Sequence, residues 1–305
     1  MRHPRITSAL IAALALGASA SSPAPAPLPA SDPWEYRRPE HAARTGTFAD
    51  SDLDESSGVA ASRSHPGVLW TVEDSDNDPV VFAVDTLGRV LARVTLAGAR
   101  NVDWEAVAVG PCPAGSCIYV GDIGDNLARR DRVTVYRIPE PAPGPAPGPV
   151  PAESLSIAWP DGAHDAEAMF VTGEGSLVVV TKGRNEPVQA FRVAAAAWAS
   201  GRATAEALGT LPITTDRPGG RLVTDAALAP DGRRIAVRTY RDIYFFTRGS
   251  ADRFESPNPG LACDIFGLEA QGEGVDWLDA ATLVLTSETN FGIPGGVSIA
   301  RCPAR

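Results

Sequence analysis

Only one of the 27 basic residues in this 305-residue chain is a lysine, Lys182, and together they are outnumbered by 37 acidic residues. That deficit of positive charge argues against nucleic acid and anionic membranes as partners and favours cations. Histidine is also scarce: past the N-terminus only His41, His65 and His164 remain, none at a ligand spacing from a cysteine, which disfavours zinc. No apolar run approaches the roughly 20 residues of a membrane-spanning helix, so no membrane span is expected. G-x-S-x-G, H-E-x-x-H and a phosphate-cradling glycine loop are all missing. No nucleophile stands out, and Ser56 and Ser57 read as strand-start residues.

The N-terminus carries Arg2 and Arg5, an apolar run from Ala9 to Leu16, and Ala18-Ser19-Ala20. This is the pattern of a cleaved secretory signal over residues 1–20, so the mature chain is expected in the periplasm or medium. Without Arg2 and Arg5, 25 basic residues face 37 acidic ones, a formal charge of −12. Residues 21–43 form a Pro/Ala-rich linker and lead-in, and residues 44–305 are expected to form a single domain, as a monomer. A second Pro-rich stretch, residues 139–151, reads as a surface loop. Four cysteines fit an oxidising compartment. Cys112 and Cys117 flank a short turn between two apolar runs and can bridge a hairpin, which leaves Cys263 to pair with Cys302.

The stretch from Asn101 to Asn126 reads strand, turn, strand, and its pattern recurs. An acidic residue followed by a short apolar run occurs at Glu55, Glu105, Glu167, Asp225 and Glu273, spaced by 50, 62, 58 and 48 residues. Each copy continues with a second apolar run (68–72, 117–120, 177–180, 234–237, 283–285) and a third (80–84, 133–138, 188–193, 243–246, 297–300). Fourth runs stand at 90–96, 155–159 and 205–211 and are poorly marked after Phe246. Asp85-Thr86-Leu87-Gly88 and Pro230-Asp231-Gly232 supply turns. Four-stranded repeats at this spacing predict an all-β fold, a β-propeller of five blades with room for a sixth, degenerate one. A β-sandwich or solenoid shares such spacing. The last copy has three strands, so residues 45–49 are expected to close the ring.

Innermost strands line a propeller's channel, which would gather Glu55, Glu105, Glu167, Asp225 and Glu273 around the axis, either as structural links to neighbouring backbone or as cation ligands. Crowded carboxylates need protons or a cation, and calcium suits an oxygen-only set. Aligning Val72 with Val120 lays Asp74 on Asp122 and Asn77 on Asp125, adding Asp74, Asp122 and Asp125 as candidate ligands. Asp74-Ser75-Asp76-Asn77-Asp78 imitates an EF-hand start, but Pro79 replaces the turn glycine and a strand follows, which excludes that motif. Lys182 takes the matching position in the third copy and, with Arg238 in the fourth, is a candidate to hold an anionic ligand.

ESSGVAAS, PGVLWTVEDSD, DWEAVAVG and IYVGDIGDN followed by VTVYRIPEP resemble secreted bacterial propellers of the SdiA-regulated and phytase-like (esterase-like) groups, from about residue 45 onward. The resemblance implies calcium at the channel mouth and, for true phytases, several calcium ions with lysine and arginine on the phosphate. Here the face is poor in bases, with Lys182 and Arg238 alone. Two functions follow as expectations. One is a non-catalytic propeller that binds a small ligand or protein at a calcium-bearing mouth. The other is a calcium-assisted hydrolase of phosphate or carboxylic esters, with Glu105 or Glu273 activating water and Lys182 holding the anion. A glycosidase ranks below both.

Overall fold

The computed structural model describes residues 39–144, 148–255 and 262–302. The expected signal sequence of residues 1–20 and the expected Pro/Ala linker of residues 21–33 lie outside them. The described residues fold into five small antiparallel sheets, the blades of a propeller. Blade 1 runs outward as Ser56–Ala61, Leu69–Glu73, Val80–Val84 and Val90–Ala97. Blade 2 is Trp104–Cys112, Gly115–Asp122, Arg132–Pro139 and Glu153–Ala158. Blade 3 is Ala166–Val171, Leu177–Thr181, Gln189–Val193 and Glu206–Thr210.

Blade 4 shows why its fourth strand was hard to read. Val223–Leu228, Arg234–Thr239 and Asp242–Arg248 are continuous, but the outer edge is split into Phe254–Glu255 and Ala262–Asp264, both paired with Asp242–Arg248. Blade 5 contains Gln271–Trp277, Leu283–Glu288 and Gly296–Ala300, and its outermost strand is Ala42–Thr47, paired antiparallel from Ala42 with Ala300 to Thr47 with Gly296. The N-terminal strand thus closes the ring as expected, starting three residues earlier than the sequence indicated.

Every inner strand of blades 1, 3 and 4 is buried along its whole length. The cause is packing on both faces, and the core is correspondingly divided into five clusters, each built from two adjacent blades. Ile118, Trp70 and Val94 join blades 1 and 2, and Tyr119, Trp159 and Phe191 join blades 2 and 3. Phe170 and Tyr244 join blades 3 and 4, Ile243 and Trp277 blades 4 and 5, and Val284 and Phe82 blades 5 and 1. Among the described residues no blade has a core of its own, so each buries its faces against its neighbours.

The Pro-rich segment does more than loop. Val150–Pro151 pairs in parallel with Leu96–Ala97 on the outer edge of blade 1, and Arg202–Thr204 covers blade 2 by pairing with Ser156–Ala158. Both shield an edge that would otherwise offer free backbone donors.

Both disulfides form as the spacing indicated, Cys112–Cys117 within the first hairpin of blade 2 and Cys263–Cys302 from blade 4 to the end of blade 5. Their sequence separations are 5 and 39 residues. Loop-closure entropy assigns about 2 kcal/mol to the first and about 4 kcal/mol to the second. Replacing Cys263 and Cys302 by serine should therefore lower the unfolding free energy more than replacing Cys112 and Cys117, measured by urea denaturation. The reverse order would contradict the role of the longer bridge in ring closure.

Candidate functional site

At one end of the channel each inner strand breaks register with its neighbour. The skipped residue is Ser57 in blade 1, Glu105 in blade 2, Glu167 in blade 3 and Thr224 in blade 4, while Glu273 and Gly274 share the break in blade 5. A bulge re-aims its side chain out of the ladder, here at the same level in all five blades. Three of the five repeat acids, Glu105, Glu167 and Glu273, occupy these bulges, with hydroxyl residues in the other two. Ser57 Oγ donates to Glu105 Oε2 at 3.0 Å, and Thr224 Oγ1 donates to the Glu273 carbonyl at 2.8 Å.

The other two repeat acids lie elsewhere. Glu55, two residues before its bulge, is exposed and accepts from Asn77 Nδ2 at 3.0 Å. Asp225, one residue past its bulge, is buried and accepts backbone N–H from Val275 and Ala226, each at 2.8 Å, and from Val59 at 3.5 Å. It links blades 4, 5 and 1 as a structural staple. Burial pushes its carboxyl well above the usual range, against the pull of those amides.

The second strands end at the same level, where the register differs by one from the alignment of Val72 with Val120. Glu73, Asp122, Thr181, Thr239 and Ser287 each face the residue just before the bulge. Asp74, Lys182, Tyr240 and Glu288 follow those positions. Asp122 is buried, accepts the Asp103 N–H at 3.2 Å and pairs with Arg130 at 2.8 Å. Asp125 accepts the N–H groups of Arg129 and Arg130 at 2.6 and 2.5 Å, capping its own turn. Neither joins the carboxyl cluster.

That cluster is Asp74, Asp103 and Glu105, each offering one oxygen, all within 4.8 Å of one another. Gly124 makes room for it, since a Cβ there would fall 2.5 Å from the Asp103 carboxyl and 2.8 Å from Glu105 Cγ. Burial, then Asp74 and Glu167, pushes Asp103 up to about 7. Burial, then Glu167 and Asp74, raises Glu105 well above the carboxylate range. Glu167 adjoins from blade 3. One of its oxygens lies 2.6 Å from Lys182 Nζ, while the other is buried without a hydrogen-bond partner.

Lys182 is buried and reaches Tyr240 OH at 3.3 Å. Burial opposes its charge, but Glu167, Tyr240, Glu273 and Glu105 outweigh it and raise the ammonium group's affinity for its proton. Arg238 is buried too, donating to the Gly274 and Thr286 carbonyls at 2.6 and 3.0 Å and pairing with Glu269. Both bases are thus committed to the protein.

A second carboxyl pair lies in blade 5. Gln271 Nε2 donates to both Glu273 Oε1, at 3.0 Å, and Glu288 Oε2. Burial, against the pull of Lys182, moves Glu273 to about 7, and burial, then Glu273 and Asp74, moves Glu288 to about 9. Glu73, which accepts the N–H of Glu55 at 3.2 Å, is carried by burial to about 8. At the far end of the channel Arg63 lies 3.5 Å from Asp276, and a cavity of only about 20 Å³ remains. Sequence reasoning missed Glu73, Asp103, Tyr240, Gln271 and Glu288, all within two residues of a bulge or of the position facing it.

No protein-family model matches the chain, and no curated protein matches its sequence. Among solved structures, the aldose sugar dehydrogenase of Streptomyces coelicolor in its PQQ-bound form aligns at 10% identity and a TM-score of 0.46, over 87% of this chain and 99% of that one. Virginiamycin B lyase of Staphylococcus aureus aligns at 11% and 0.42, over 85% and 69%. A gluconolactonase of Xanthomonas campestris aligns at 14% and 0.43, over 77% and 69%. At these scores no substrate or chemistry carries across.

Lys182→Met would leave Glu167 buried without its counter-ion and should cost about 3–5 kcal/mol, recovered in large part by adding Glu167→Gln. Urea denaturation of the single and double variants checks this, and equal losses in both would contradict the pairing. Glu73 and Glu288 hold protons in the folded state that the unfolded chain has released. Their stabilising effect is complete below about pH 4.5 and is lost as pH rises through about 8–9. In chelator, the melting temperature should fall from pH 5 to pH 9, and Glu73→Gln should flatten the fall.

Proposed function

We propose that this chain is an exported propeller that binds calcium at its acidic mouth and uses the ion to seat a small anionic ligand or a segment of a protein partner. The observation that carries this reading is the meeting of Asp74, Asp103 and Glu105 oxygens within 4.8 Å, beside a buried Glu167 oxygen that has no donor. These carboxylates can ionise together only with added positive charge, and Lys182 already serves Glu167. An all-oxygen set suits calcium, whose coordination is flexible, better than magnesium. With Lys182 and Arg238 engaged internally, the ion itself would present the positive charge to an anion. The two disulfides are compatible with export.

A second reading, a calcium-assisted hydrolase of phosphate or carboxylic esters, is favoured by one observation. Glu273, at about 7, exchanges its proton near neutral pH, as a general base must. Glu105 could serve in the same way, whereas Lys182, held by Glu167, would have to leave that pair to hold the anion. The likeness of ESSGVAAS, DWEAVAVG and IYVGDIGDN to the SdiA-regulated and phytase-like groups supports both readings.

Thermal unfolding with calcium and with chelator tests the first. Calcium at one hundred times its dissociation constant should stabilise the fold by about 2.7 kcal/mol. Glu105→Gln should remove most of that gain. Equal midpoints with and without calcium in the parent protein would overturn the reading. Calcium-dependent turnover of generic esters, lost in Glu273→Gln, would shift the assignment to the hydrolase.

A further inference from the structure

His41 lies far from every cysteine in sequence, yet ring closure sets it beside two of them. One ring nitrogen of His41 and the Sγ atoms of Cys263 and Cys302 lie within 4.8 Å of one another. A different strand carries each residue. His41 precedes Ala42–Thr47, Cys263 stands in the middle of Ala262–Asp264, and Cys302 follows Gly296–Ala300. Backbone pairing fixes all three: Cys263 faces Ile243, Ala42 faces Ala300, and the Arg301 N–H donates to the His41 carbonyl at 2.8 Å. None of these contacts uses the S–S bond, and the two cysteine Cα atoms are 5.7 Å apart, so the sulfurs remain neighbours when that bond is open.

Cysteines enter a chain as thiols, so every copy passes through a state in which Cys263 and Cys302 are not yet joined. In that state two thiolates and an imidazole form a sulfur and nitrogen donor set, which suits zinc and does not suit calcium. Zn–S bonds of about 2.3 Å put two thiolates of a tetrahedral site about 3.8 Å apart, a small opening of the bridge. The ring is oriented for the task. The Asp264 carbonyl can only accept, so His41 Nε2, 2.9 Å from it, carries the hydrogen, and in the neutral ring the lone pair falls on Nδ1. Cys263 is buried, but His41 and Cys302 are half-buried, which lets water complete the fourth position.

We infer that the dithiol form of this chain binds a zinc ion through Cys263, Cys302 and His41, and that oxidation to the disulfide releases it. Binding exchanges two thiol protons for the ion. Release needs a disulfide oxidant: the Cys263–Cys302 bond forms, the two electrons and two protons from solvent turn the oxidant's disulfide into two thiols, and Zn²⁺ departs. Until then the ion holds the edge of blade 4 to both strands of the ring closure. The site lies on outer strands and is independent of the cation at the mouth.

The full chain with Cys112→Ser and Cys117→Ser, which leaves only these two thiols, tests this in its phosphine-reduced and its oxidised forms. The reduced protein should bind one zinc ion more than the oxidised protein, with a dissociation constant of about 1 μM or below. Zinc held by the mouth carboxylates is common to both forms and cancels. Zinc should raise the melting temperature of the reduced form, and cobalt in its place should give the near-ultraviolet absorption of a thiolate-bound metal. His41→Ala, first shown to fold in its oxidised form, should weaken zinc binding to the reduced form at least about tenfold. Equal zinc in the two forms, zinc binding that survives His41→Ala, a cobalt spectrum without the sulfur absorption, or a reduced chain that stays unfolded in zinc would each overturn the inference.

Discussion

The recurring break in register at the channel mouth is the constraint on which the rest of the site depends. Inner strands of a propeller are buried on both faces, so a regular strand there has no direction in which to present a polar side chain. One extra residue per strand solves this by swinging a side chain out of the ladder toward the axis. Five such residues at one level make a ring, and their identities divide it. Glu105, Glu167 and Glu273 bring negative charge, whereas Ser57 and Thr224 bring hydroxyls that anchor a neighbouring carboxyl or carbonyl.

Given that ring, the electrostatics are set by how few bases enter it. Lys182 neutralises one carboxyl through a short contact with Glu167, and Arg238 lies in the wall between blades 4 and 5. Gly272 is part of that arrangement, because a Cβ there would fall 1.7 Å from Arg238 Nη2. The remaining acids hold protons far into the neutral range or need a cation from outside. Asp225 resolves the same problem differently, by spending its carboxyl on backbone amides of three blades.

The blades, the ring closure and both disulfides were legible in the sequence because they depend on spacing and on apolar runs, which survive small errors of alignment. The register at the mouth was not legible, for a physical reason. Strands packed on both faces show no alternation of polar and apolar residues, so a one-residue slip leaves the pattern unchanged. Glu55 and Asp225 therefore looked equivalent to Glu105 although they sit two residues before and one residue after their bulges. The same slip hid Glu73 behind Asp74 and placed Asp74 over Asp122. The split outer strand of blade 4 was obscure because two pieces of two and three residues carry almost no pattern.

The pairing of Ala42–Thr47 with Gly296–Ala300 also governs when the molecule can be finished. The strand that completes blade 5 waits for a partner made some 250 residues later, so the apolar faces of blades 5 and 1 stay uncovered until Gly296–Ala300 has been made. At about 5–20 residues per second that interval lasts on the order of tens of seconds. A chain stopped short of Gly296 would expose the same faces permanently, as an open arc with adhesive ends.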